Sequence, residues 1–140
     1  MIRQPRQLDT LGIVPSEDQV LLCRACPDLD EWPLRWQYDA ADLAPGAAIV
    51  AAFKPFLLDL LHGGLAKRTF NRHRDNLWLL GGEMIRRRYD DPDLKRLPAD
   101  QLLRRLIDAD GGPLISPRIS EAEQAAVDAT CRKIYQFLTH

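Results

Sequence analysis

Apolar residues recur at helical spacing in five stretches of the chain, separated by proline, glycine and acidic punctuation. The first stretch opens at Ser16, with Glu17 and Asp18 behind it and Gln19 three residues on. That pattern is a capping box and predicts a short helix running to about Cys26, where Pro27 ends it. The second runs from Ala47 to Leu61, with Val50, Phe53, Phe56, Leu57, Leu60 and Leu61 at the helical period. Pro45 and Gly46 precede it. Pro55 lies inside it and predicts either a bend or a fresh start, since proline lacks the N–H donor and crowds the preceding turn. Gly63 and Gly64 close it, one of them in the left-handed conformation that satisfies the last carbonyls.

The third stretch, from Leu65 to about Arg88, places Phe70, His73, Leu77, Leu80 and Met84 on one face. Arg68, Arg72, Leu79, Glu83 and Arg86 fall on the other side. Gly81 and Gly82 each cost about 1 kcal/mol in a helix interior, so they mark either a close approach by another helix or a break. The fourth stretch starts at Pro98 and Asp100, buries Leu102, Leu103, Leu106 and Ile107, and stops at Gly111-Gly112-Pro113. The fifth has a second capping box, Ser120 with Glu123, and an apolar stripe of Val127, Cys131, Ile134, Tyr135 and Leu138. The fold expected is all-α: a compact bundle of about five helices, with an irregular Trp-rich connector over DLDEWPLRWQYD. Residues 1–12 read as a flexible N-terminal arm and 13–140 as a single helical domain. DDPD, residues 90–93, reads as a turn, and the connector PLISPRI is apolar enough to be partly buried.

Within the connector, Trp32, Trp36 and Tyr38 are expected to pin the segment across the body of the fold. The rival reading makes Trp32 and Trp36 a solvent-facing partner surface.

Composition adds few constraints. Of 140 residues, 46% are hydrophobic and 28% charged, as in an ordinary globular protein. No apolar run approaches the roughly 20 residues needed to cross a bilayer, and residues 1–12 do not read as a signal peptide; a cytoplasmic location is expected. Three cysteines argue against a disulfide framework. Cys23 and Cys26 form a CxxC, but no second pair or nearby histidine completes a zinc site. The net charge of −1 hides an uneven distribution: residues 1–64 are acidic overall, residues 65–105 carry a basic excess, and residues 106–140 are acidic again. Overall attraction to a polyanion is therefore absent, while a local basic surface remains open.

Catalytic chemistry has no foothold in the pattern. His62 sits at a helix end, His73 on an apolar face and His140 at the terminus. No HExxH, paired CxxC or phosphate-cradling glycine loop occurs. Asp59, Asp75, Glu83 and Asp90 lack the histidine partners of a metal site, and no serine or cysteine has an evident base. No enzyme activity, cofactor, metal or small-molecule substrate is expected. Binding remains: a protein partner or a second copy of the chain, with no membrane, or duplex DNA as the alternative. For DNA the candidates are Lys67, Arg68, Thr69, Arg72 and Arg86, aided by Arg87 or Arg88, because guanidinium forks suit phosphates. Glu83 and Leu79 interrupt that stripe and Asp75 borders it.

The stretch Phe56–Trp78 resembles the helical core-binding domain of phage integrases and other tyrosine recombinases. An apolar helix ends at Gly64-Leu65, a polar corner follows through Lys67, Arg68 and Thr69, and a helix with His73 and Leu77 comes next. The resemblance implies a DNA-clamping role for Lys67, Arg68, Thr69 and Arg72. Nothing after Met84 resembles that family's catalytic domain, so recombinase catalysis is not implied.

Overall fold

The computed structural model describes residues 15–140, so the arm expected over residues 1–12 lies outside the described residues. Seven α-helices succeed one another among them: α1 (Glu17–Ala25), α2 (Trp32–Trp36), α3 (Leu43–His62), α4 (Lys67–Asp90), α5 (Pro92–Lys95), α6 (Ala99–Leu106) and α7 (Glu121–Thr139). The all-α class stands, but the expectation of about five helices is corrected to seven. The tryptophan connector contains one short helix, and another begins inside the DDPD turn and runs on to Lys95. Pro33 lies in the first turn of α2, where a missing N–H costs nothing. Asp91 caps α5 by accepting from the Asp93 N–H at 2.9 Å, with Pro92 as its first residue. Helices of four or five residues show no periodicity of their own; packing is what holds them.

The long helices follow local rules. Ser16 and Ser120 both form complete capping boxes, with Gln19 and Glu123 reaching back to the cap N–H at 2.9 Å. α3 starts at Leu43, four residues before the expected Ala47, because Asp39 caps a 3-10 turn over Ala40–Asp42 that leads directly into it. Pro55 neither breaks nor restarts the helix. It and Ala51 are both exposed, so the carbonyl deprived of a helical donor is on the solvent side, where water can replace the bond. Gly64 adopts the left-handed conformation, with φ of 72°, at the corner into α4.

α3 also corrects the expectation about apolar length. With its leading turn it spans Ala40–His62 and holds an 18-residue window of mean hydropathy 1.5, long and apolar enough by length and composition to cross a membrane. In this fold it is the hub instead. It packs against α1, α2, α4 and α6 and buries Ile49, Val50, Phe53, Phe56, Leu57 and Leu60. Its exposed face is largely Ala44, Ala47, Ala48 and Ala51, which raise hydropathy while exposing little apolar area.

The connector is fastened to both long helices. Trp32 and Trp36 are buried at 2% and 5% exposure, and their rings lie 5.7 Å apart. Pro33 rests on Gly46 of α3, where an added Cβ would fall 2.8 Å from the proline Cβ. The Trp36 ring rests on Gly81 of α4, where an added Cβ would fall 2.2 Å from the indole. Its Nε1–H donates to the Trp78 carbonyl at 3.0 Å. α4 therefore runs unbroken through Gly81 and Gly82, and Gly81 is small because an indole occupies its side-chain space.

Candidate interaction surfaces

Four of the five residues proposed to meet phosphates lie together at the start of α4. Lys67, Arg68 and Arg72 are exposed and, with Asn71 and Asp75, line one shallow depression; Thr69 beside them is half-buried. Among the described residues none of these three cations forms an ion pair. Lys133 on α7 is also exposed but does not line that depression. Burial lowers the pKa of His73, and the charges of Lys133 and Arg72 push it the same way. His73 Nδ1 bonds the Thr130 hydroxyl at 2.8 Å, and Thr130 also accepts from Asn76 Nδ2 at 2.8 Å. Asn76 further donates to the Ala126 carbonyl. This polar cluster joins α4 to α7. His73 is thus a packed, hydrogen-bonded residue, with no carboxylate bonded to it among the described residues.

Arg86 is elsewhere. Glu83, expected to interrupt an exposed arginine face, is 3% exposed and lies beneath three guanidinium groups. Arg86 donates to both of its oxygens at 3.2 Å, Arg87 Nε donates to Oε2 at 2.6 Å, and Arg118 Nη2 donates to Oε1 at 2.5 Å. Arg86 also bonds Asp90 at 3.0 Å. Burial alone would raise the Glu83 pKa, but the three arginine hydrogen bonds outweigh it and hold the carboxyl below its usual range. Arg86 is thus held by Glu83 and Asp90 and does not share the depression at the start of α4.

The same carboxylate ties α4 to the connector that precedes α7. Asp108 and Gly111 exchange backbone hydrogen bonds across a tight turn in which Gly111 has φ of 155°, a conformation favouring glycine. Asp128 Oδ1 accepts from the Gly112 N–H at 3.1 Å. Gln124 spans the next residues, accepting from the Ile115 and Ser116 N–H groups at 2.7 and 3.0 Å and donating to the Pro113 carbonyl at 3.0 Å. Arg132 bonds the Asp110 carbonyl, and Arg87 Nη2 bonds the Leu114 carbonyl at 2.8 Å. Pro113 and Ile115 are buried, as the apolar composition of PLISPRI predicts, but Leu114 is not.

A third surface lies between α2 and α4. Burial of Trp32 and Trp36 rules out a solvent-facing patch made of that pair; both are structural. Trp78 is the exposed tryptophan, at 42%. It lines a groove with Pro27, Trp32, Arg35, Arg74 and Leu79. Arg74 is oriented by Asp75 at 2.9 Å and Asn71 at 3.1 Å, while Asp28 accepts from Trp32 Nε1 at 3.2 Å.

The remaining chemistry is limited. Cys23 is exposed; Cys26 and Cys131 are buried, and burial pushes each thiol up to about 12, helped by Asp28 and Asp128 respectively. Among the described residues no group of three or more His, Cys, Asp or Glu side chains is placed to hold a metal ion. The described chain is thus an all-helical domain without obvious catalytic machinery. Comparison with protein-family models, curated proteins and solved structures finds no match.

Proposed function

We propose that this chain is a non-catalytic binding domain of the cytoplasm that acts by engaging a protein partner through the α2–α4 groove. The observation that carries this reading is Trp78: a large aromatic side chain left 42% exposed, with Arg35 and Arg74 beside it. Tryptophan and arginine supply a disproportionate share of binding energy at protein interfaces. Trp32, which lines the groove, is buried and packed against Trp36. Quantitative affinity enrichment with wild type and Trp78→Ala would test the reading. A discrete set of proteins retained by wild type and lost by the variant is expected. Identical retention by both would overturn it.

A second reading is favoured by Lys67, Arg68 and Arg72 sharing one exposed depression. With Thr69 beside them, they offer a surface for the phosphate backbone of duplex DNA, in keeping with the local sequence resemblance of residues 56–78 to recombinase core-binding domains. Three or four phosphate contacts would give a salt slope of about −3 in log K against log salt. Fluorescence anisotropy on a labelled duplex between low and physiological salt measures it. Binding that survives alanine at Lys67, Arg68 and Arg72 together would eliminate this surface. Arg86→Ala should leave the slope unchanged, because Arg86 is held by Glu83 and Asp90.

A further inference from the structure

Cys23 and Cys26 stand at the C-terminal end of α1. The last helical residue is Ala25, and the Cys26 N–H still donates to the Leu22 carbonyl at 2.8 Å, so the helical register reaches both cysteines. Positions three apart on a helix are neighbours, with Cβ atoms about 5–6 Å apart. Both residues line one groove between α1, α3 and the turn after α1, a cavity of about 700 Å³ whose apolar wall includes Val20, Leu22, Leu29 and Leu58. Their exposures differ. Cys23 is open to solvent, whereas Cys26 is 2% exposed and its thiol donates to Asp28 Oδ1 at 3.7 Å. The nearby carboxylates already have partners: Asp18 pairs with His62 at 3.0 Å, Asp30 pairs with Lys54 at 3.3 Å, and Asp28 accepts from Trp32 Nε1. Among the described residues no third His, Cys, Asp or Glu joins the two thiols in a larger ligand set.

We propose that Cys23 and Cys26 form a two-coordinate site for a soft monovalent cation of the copper(I) type. Thiolate is a soft donor and selects copper(I) over ions that prefer oxygen ligands. Ligand number then decides among the thiophilic ions. Structural zinc and iron–sulfur centres take four protein ligands, which this groove does not supply. Closed-shell copper(I) is satisfied by two sulfurs. As the ion binds, each sulfur forms a bond to it and releases its proton to water; the Cys26 proton leaves its hydrogen bond to Asp28. Exposed Cys23 gives the ion its way in, and buried Cys26 holds it against the apolar wall. The site depends on neither the Trp78 groove nor the basic depression of α4.

The test uses the full chain, reduced and kept free of oxygen, titrated with copper(I) against the chromogenic chelator bicinchoninate. Wild type should withhold one ion per chain from the chelator and develop thiolate-to-metal charge-transfer absorption in the ultraviolet. Cys23→Ser, at an exposed position, should keep wild-type circular dichroism and melting yet lose that capacity. Cys26→Ala should lose it as well. Since Cys26 is buried, alkylation of Cys23 on the folded wild type supplies an independent block that leaves the core untouched, with the same loss expected. Zinc(II), titrated against a zinc-binding dye, should stay with the dye. The proposal falls if wild type withholds no copper, if Cys23→Ser withholds as much as wild type, or if zinc is held as firmly as copper(I). One ion per two chains, with a dimer on size-exclusion chromatography, would also overturn it, by making Cys23 of two copies the ligand pair.

Discussion

Gly81 and Gly82 are adjacent in one helix, and replacing each with alanine should move stability in opposite directions. In an unobstructed helix interior either substitution stabilises by about 1 kcal/mol. At Gly82 the new Cβ would lie 3.4 Å from Trp36 Cδ1, an ordinary contact, so most of that gain should be realised. At Gly81 it would lie 2.2 Å from Trp36 Cζ2 and 2.3 Å from Cη2, too close for any packing without movement of the ring. Overpacking costs about 1–3 kcal/mol. Displacing the indole also weakens its bond to the Trp78 carbonyl, a further loss of about 1 kcal/mol. Re-exposing part of the ring, roughly 60 Å² on the usual area scale, adds about 1.5 kcal/mol. After subtracting the propensity gain, Gly81→Ala should destabilise by about 3 kcal/mol, which lowers Tm by about 10 °C in a chain of this size. Thermal and urea unfolding followed at 222 nm measure both variants, and the near-ultraviolet tryptophan band reports whether Trp36 has shifted. In a Trp36→Leu background Gly81→Ala should become neutral or stabilising, giving a coupling of about 3 kcal/mol. If Gly81→Ala melts at or above wild type, or if Gly82→Ala falls as far, the nesting of the indole on Gly81 is not what makes residue 81 a glycine.

Glu83→Ala leaves three arginines without their shared carboxylate and should cost about 3–5 kcal/mol; Arg118→Ala should cost less and show chiefly as faster amide exchange at Ile115 and Ser116. His73 has a lowered pKa in the folded state, so acidification below its ordinary 6.5 protonates the unfolded chain first and stability should fall as pH drops. Urea midpoints between pH 7.5 and 5 should show that decline, and a substantially shallower one in His73→Gln; an unchanged slope would rule out His73 as its source. Of the three thiols, only Cys23 should react quickly with an aromatic disulfide reagent at pH 8, Cys26 and Cys131 reacting after denaturation. Fast labelling of all three would contradict their burial.

The parts of the fold visible in the sequence are those governed by neighbours within four residues. The two serine capping boxes, the stripe of α7 and the inward face Phe70–Leu77–Leu80–Met84 all appear where the pattern puts them. What escaped depends on distant partners. α2 and α5 are too short to carry a period, and the continuity of α4 through two glycines depends on an indole more than forty residues upstream. The site residues divide the same way. Lys67, Arg68 and Arg72 share a surface because they share a helix face. Arg86 has the same local signal, but Glu83 beside it is buried and captures it together with Arg118, thirty-five residues further on. Arg35 offered no motif at all, and its interest comes from the Trp78 groove that the tertiary fold sets next to it.

The two glycine contacts of α2 have a joint consequence. Pro33 fits the notch at Gly46 on α3, and Trp36, three residues later, fits the notch at Gly81 on α4. One short helix is thereby keyed into slots on the two longest helices at once. It can neither slide nor turn without lifting out of one slot, so its thickness acts as a gauge that sets how far α3 and α4 stand apart at that level. Positions 33, 36, 46 and 81 should therefore vary as a group: a side chain can appear at either glycine only where the opposing ring becomes smaller.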